Sequence, residues 1–202
     1  HGFRRILLEK PPEGSAQGTK ILMDEIERVL DREICGVPEF KDYSLSFTGH
    51  SLGAALATVA GTVMASRNKT SHKFKEPITI LSFASPRVAG YDFHKYHRAL
   101  EAGGHLRHVR FMNYDDVVPT IPLASVTSLS KYVHVGARVV LGKPETNPIQ
   151  NYLIDYPDLE NSKRFANVVS YPFCGTGVNP HFTWHYLSRI KAAIDDAVHD
   201  TF

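Results

Sequence analysis

A single serine stands between two glycines in Gly49-His50-Ser51-Leu52-Gly53, and the residues on either side change periodicity at that point. Before it, Tyr43 to Thr48 is aromatic and apolar with polar alternation, the pattern of a strand. After it, Ala54 to Ala65 is a run of small residues that forms a helix able to approach a sheet closely. A chain passing directly from strand to helix turns sharply. Glycines at both ends of the turn let the backbone double back and leave the central residue strained, with its side chain thrust out beyond the strand. Ser51 is therefore a candidate nucleophile. The bland alternative is a serine that only caps the helix through its hydroxyl.

The rest of the chain repeats this alternation. Apolar residues at helical spacing predict an amphipathic helix over Ser15 to Ile34, capped by Ser15 and followed by Gly36. Ile78 to Ala84 and Leu106 to Asn113 read as strands, with a helix from about Asp92 to Ala102 between them, and Tyr132 to Leu141 reads as a further strand. Asn179 caps and Pro180 opens a last helix, with Tyr186, Leu187, Ile190, Ile194 and Val198 three or four apart. Alternating strands and helices imply an α/β fold with a mostly parallel sheet flanked by helices. One domain over 1–202 is expected, with a long Pro-punctuated excursion from Gly142 to Val178.

Composition narrows the function classes. The charge of +2 comes from scattered residues, so no nucleic-acid footprint is expected, though weak attraction to anionic lipid is allowed. No run reaches the ~18 uninterrupted apolar residues of a bilayer span. Cys35 and Cys174 lack metal-ligand spacing and form no disulfide framework, and one bridge between them stays open. The chain starts at His1 without a basic-then-apolar leader, so a signal segment is expected to be absent or already removed.

A serine hydroxyl is a poor nucleophile at neutral pH. It needs a neutral imidazole to take its proton and a carboxylate to hold that imidazole in the right tautomer. When serine comes first from an elbow, the acid and then the histidine follow in chain order. Asp115 and Asp116 lie just beyond the strand ending at Asn113, where open parallel sheets collect working groups, and Asp116 is preferred. A solvated turn or helix cap is the plainer reading of such a doublet. Of 11 histidines, His134, His181, His185 and His199 follow the acids. His134 falls within a predicted strand and His199 on a terminal turn. His181, at the amino end of the last helix, is preferred, with His185 in reserve one turn inside. A surface histidine stacked among Phe182, Trp184 and Tyr186 is the alternative.

At this point several motifs agree. Phe47-Thr48-Gly49-His50-Ser51-Leu52-Gly53-Ala54-Ala55-Leu56-Ala57 resembles the elbow of the class 3 (fungal-type, triacylglycerol) lipases, within the α/β-hydrolase superfamily. Ser82-Phe83-Ala84-Ser85-Pro86-Arg87-Val88-Ala89 is similar to that family's strand-to-loop segment. Asp116-Val117-Val118-Pro119, followed by Ile121-Pro122, resembles its acid segment and adds to the preference for Asp116 over Asp115. Tyr132-Val133-His134-Val135-Gly136 resembles its next strand, and His1-Gly2-Phe3 the start of the helix before the elbow strand. In relatives the catalytic histidine stands just before the last helix with an aromatic residue soon after, as His181 does with Trp184 and Tyr186.

The resemblance implies a serine carboxylic ester hydrolase acting on lipid acyl esters through an acyl-enzyme. Ser51, Asp116 and His181 would be catalytic, the Leu52 N–H an oxyanion donor, and no metal or organic cofactor would be needed. It also implies contact with a lipid interface. The early strands, the segment giving a further oxyanion donor, and the lid stand upstream in relatives and are expected to be missing here. A partner or a further N-terminal segment would then complete the domain. The competing expectation is a catalytically impaired lipase-like subunit that binds lipid or fills a place in an assembly. Feruloyl esterase-like members of the family also allow a soluble aromatic ester as substrate.

Overall fold

The computed structural model describes residues 2–14, 20–122, 132–142, 152–155 and 179–199. In chain order, short helix α1 (Gly2–Leu8) and helix α2 (Leu22–Leu30) precede strand β1 (Ser44–His50) and helix α3 (Leu52–Ser71). Strand β2 (Lys75–Phe83), helix α4 (Tyr91–Ala102) and strand β3 (Leu106–Asn113) follow. Strands β4 (Ala137–Leu141) and β5 (Tyr152–Asp155) and helix α5 (Thr183–His199) complete the described elements. The sheet runs β1-β2-β3-β4-β5, parallel through β4, with β5 antiparallel on the edge. This is the mostly parallel α/β sheet that the alternation predicts.

Period-2 alternation sends neighbouring side chains of each strand to opposite faces, and both faces are covered. Ile78 and Ile80 of β2 and Leu106 of β3 pack with Ala60 and Met64 of α3 and Leu100 of α4. Phe83, Val109, Phe111, Val139 and Leu141 pack on the other side with Tyr186, Ile190 and Ala193 of α5. The small residues of α3 bring it close to the sheet. A Cβ at Gly61 would fall 2.5 Å from Cγ1 of Ile80.

Register aligns the carboxyl ends of the strands. His50 lies beside Phe83, Phe83 beside Phe111, and Asn113 beside Leu141. Backbone bonds continue past those ends, with Ser51 N–H donating to the Phe83 carbonyl at 2.9 Å and Tyr114 N–H to the Leu141 carbonyl at 3.0 Å. The residues after β1 and β3 are thereby held at one edge of the sheet.

Several expectations are corrected. The helix predicted over Ser15–Ile34 is α2 plus a π-turn at Asp31–Cys35, and its N-cap position is Ile21 with no side-chain cap; Ser15 lies outside the described residues. Asp24 and Glu25 in the first turn complement the helix dipole in place of a cap. The strand predicted over Tyr132–Leu141 is interrupted. Val133 bridges Ala89, Gly136 takes φ +80°, and regular pairing starts only at Ala137. A Cβ at Gly136 would meet the His108 ring at 2.5 Å, so the break accommodates a buried imidazole. His134 is therefore not in a strand; its Nε2 donates to the Pro119 carbonyl at 2.7 Å. The excursion after Gly142 contains strand β5, while 143–151 and 156–178, including Cys174, lie outside the described residues. The last helix opens later than predicted. Asn179–His181 is a 3-10 turn and α5 starts at Thr183.

Candidate active site

Ser51 takes φ 57° and ψ −121°, a strained conformation for a residue with a Cβ, and its side chain makes no cap bond to α3. The bland reading of a capping serine thus loses its hydrogen bond. The turn depends on close backbone approach. A Cβ at Gly49 would stand 2.4 Å from the carbonyl carbon and oxygen of Gly53. The Leu52 N–H is in the first turn of α3, where backbone donors have no intrahelical acceptor, and the Leu52 side chain is exposed.

Three groups meet at the sheet edge. Nε2 of His181 lies 2.9 Å from Oγ of Ser51, and Nδ1 of the same ring lies 3.0 and 3.2 Å from the two carboxylate oxygens of Asp116. A carboxylate only accepts, so Nδ1 carries the proton and Nε2 is left as the acceptor for the serine hydroxyl. Asp116 is buried and His181 partly so. Water competes little for the acid, while the serine side remains reachable.

Asp116 is held by more than the imidazole. The phenol of Tyr186 donates to Oδ2 at 2.7 Å, and the Val118 N–H donates to Oδ1 at 2.9 Å. Burial, then the nearby Asp116 charge, pushes the Tyr186 phenol far above its ordinary value and keeps it protonated as a donor. The Tyr186 oxygen also accepts from the Asn113 N–H at 3.0 Å, and the Asn113 amide donates to the Pro180 carbonyl at 2.6 Å. Nε2 of His50 donates to the carbonyl of His181 itself at 2.7 Å, with the two rings 4.7 Å apart. Strand ends β1 and β3 thus grip the turn that carries His181.

The remaining candidates are placed elsewhere. Asp115 faces Arg189 in a two-pronged ion pair of 2.6 and 3.0 Å. Partial burial raises its carboxyl, but the Arg189 hydrogen bonds and charge outweigh that and hold it below the ordinary range. His185 lies in the first turn of α5 and is not joined to Ser51 or Asp116. His199 falls in the last residue of α5. The supporting residues Tyr186, Asn113 and His50 escaped sequence reasoning as partners. Only the position of His50 in the elbow and of Tyr186 after His181 marked them. Among the described residues no group of three or more His, Cys, Asp or Glu side chains is placed to hold a metal ion.

Residues 13–126, more than half of the 202, match the family model described as Lipase (class 3). The chain belongs to the class 3 lipase family. Among curated class 3 lipase relatives, it is 39% identical over 103 residues to phospholipase A1-II 1 of Oryza sativa subsp. indica, covering 50% of this chain and 23% of that protein. It is 34% identical over 125 residues to secreted mono- and diacylglycerol lipase A of Penicillium cyclopium, covering 62% of this chain and 35% of that one. The matches thus span about a quarter to a third of these relatives' own length. Among solved structures, a lipase from Rhizopus microsporus var. chinensis superposes with a TM-score of 0.56 at 22% identity, covering 81% of this chain and 49% of that one. A triacylglycerol lipase whose catalytic centre is described as a serine protease triad superposes at 0.55 and 22%, covering 80% and 53%. At that identity the likeness shows the α/β-hydrolase lipase fold.

Proposed function

We propose that this chain is a serine carboxylic ester hydrolase that cleaves acyl esters of glycerol lipids through an acyl-enzyme on Ser51, with His181 as base and acid and Asp116 as its orienting carboxylate. The observation that carries this reading is the continuous chain Ser51 Oγ, His181, Asp116, with 2.9 Å and 3.0 Å links. The names of the plant phospholipase A1 and fungal mono- and diacylglycerol lipase relatives support an acyl glycerol as substrate.

Ser51 Oγ would attack the ester carbonyl carbon while Nε2 of His181 takes its proton. The imidazolium, stabilised by Asp116, returns that proton to the alcohol oxygen as the C–O bond breaks. Water, deprotonated by the same nitrogen, then attacks the acyl-serine, releasing the carboxylic acid and restoring the hydroxyl. Through both tetrahedral stages the Leu52 N–H would donate to the oxyanion.

A catalytically impaired subunit draws no support from a site in which all three groups meet at hydrogen-bond distance. The test is labelling with a fluorophosphonate probe, followed by hydrolysis of p-nitrophenyl butyrate, a diacylglycerol and phosphatidylcholine. Labelling of the unaltered chain and its loss in Ser51→Ala are expected. A chain that stays unlabelled in both forms overturns the reading.

A further inference from the structure

The carbonyl of His181 lies in the seam between the 3-10 turn Asn179–His181 and helix α5, which starts at Thr183. In a continuous helix the N–H of His185, four residues on, would take that carbonyl. Here the His185 N–H donates to Phe182 at 3.1 Å instead, which leaves the His181 oxygen to a donor from another part of the chain. Nε2 of His50 fills that place at 2.7 Å. A carbonyl only accepts, so Nε2 carries the hydrogen.

Alternation along β1 aims His50 at this seam. Phe47 packs with the α3 layer, and Gly49, two residues on, faces the same way against Gly53 in the first turn of α3. His50 therefore faces the opposite layer, where α5 lies. Its ring stands 4.7 Å from the ring of His181 and meets the Tyr186 ring edge-on at 5.8 Å.

The donor is covalently next to the nucleophile. Ser51 is anchored to β2 by its N–H bond to the Phe83 carbonyl, so the main chain of His50 and Ser51 is one fixed piece of the sheet edge. His181 arrives 130 positions after Ser51. Between the His181 main chain and its Nε2 only two side-chain dihedrals remain, and the bonds of Nδ1 to Asp116 set them. With the main chain held by His50 and the ring by Asp116, Nε2 is left facing Oγ at 2.9 Å. A displacement of about 1 Å at such a contact costs about 10²-fold in rate.

We propose that His50 is a positioning residue of the site, clamping the main chain of the base to the strand end that carries the nucleophile. This rests on the ester-hydrolase reading and assigns a role in it to the residue before Ser51. His50 touches no reacting atom; it acts through His181.

Three substitutions test the clamp. His50→Phe keeps a ring beside Tyr186 and removes the donor. His50→Asn keeps a polar amide too short to reach the carbonyl, and His50→Gln, one methylene longer, places an amide N–H near the position of Nε2. On soluble p-nitrophenyl butyrate, Phe and Asn should lower kcat and kcat/KM together by about 10²-fold with KM unchanged, the pattern of an interaction needed in the transition state. Gln should bring kcat back to within a few-fold of the unaltered chain. Fluorophosphonate labelling of Ser51 should slow and recover in the same order. A second readout needs no turnover: the downfield proton resonance of the hydrogen-bonded Nδ1–H of His181, identified by its absence from His181→Gln. It should persist in His50→Gln and be lost to exchange with water in His50→Phe and His50→Asn.

Unaltered kcat in His50→Phe and His50→Asn overturns the proposal. So does a Gln variant as slow as the Asn variant, or a loss confined to KM. Retention of the Nδ1–H resonance in all three variants overturns it as well. If the unaltered chain is never labelled, the ester-hydrolase reading falls, and the resonance alone still decides whether His50 holds His181 in place.

Discussion

The phenol of Tyr186 and the carboxylate of Asp116 are joined by a 2.7 Å hydrogen bond across 70 positions of sequence. The bond ties α5 to the loop after β3, and the turn that carries His181 lies between them. Tyr186→Phe keeps the ring in the core but removes a donor to a buried carboxylate and an acceptor for the Asn113 N–H. A stability loss of about 1–3 kcal/mol in denaturant titration is expected, since a buried amide is left unsatisfied. A parallel fall in kcat with little change in KM should appear in ester hydrolysis.

Adjacent aspartates should behave oppositely. Asp116→Asn removes the group that holds Nδ1–H of His181 and should lower kcat by about 10⁴-fold. Asp115→Asn breaks the pair with Arg189, which should cost about 1 kcal/mol of stability and leave kcat within a few-fold. Steady-state kinetics on p-nitrophenyl butyrate, with thermal melts of both variants, separates the two.

At Gly49 the Gly53–Ala54 peptide occupies the space a side chain would need, with Gly53 backbone atoms 2.4 Å and the Ala54 nitrogen 2.7 Å from a Cβ. Neither neighbour is a flexible side chain, so Gly49→Ala must shift the elbow. About 2–4 kcal/mol of destabilisation is expected, together with loss of fluorophosphonate labelling. A labelled variant of normal stability would contradict the packing of this turn.

The buried pair His97 and His108 sets a pH dependence away from the site. Nε2 of His97 lies 3.1 Å from Nδ1 of His108, whose Nε2 lies 2.9 Å from the Ser82 hydroxyl. Burial, then the His97 and Arg110 charges, holds His108 well below the ordinary histidine value, so it is neutral when folded. The unfolded chain binds a proton there below about pH 6.5, so stability is full above that pH and falls as pH drops further. His134 is shifted the same way, first by burial. His108→Gln should reduce the slope of stability on the acid side by up to about 1.4 kcal/mol per pH unit, measured by urea titration between pH 5 and pH 8.

The amino-acid sequence determined the order of strands and helices, the sharp turn at Ser51 and the succession of serine, acid and histidine. Those follow from local patterns: alternation at Tyr43–Thr48, small residues after Gly53, and glycines where backbone must pass close. Helix ends and breaks were less legible because distant groups decide them. The His108 ring against Gly136 interrupts what reads as a strand from Tyr132, and the bonds from His50 and Asn113 hold a 3-10 turn where the pattern alone opens a helix at Pro180. Strand β5 carries too short a pattern to stand out in the segment after Gly142. Motif and position favoured Asp116 over Asp115 in the sequence, but only the tertiary structure gave the one its bonds to His181 and Tyr186 and the other its pair with Arg189. Neighbours in sequence point apart past a strand end, and which of them meets an imidazole 65 residues away is a matter of packing, since periodicity describes only the nearest turns of chain.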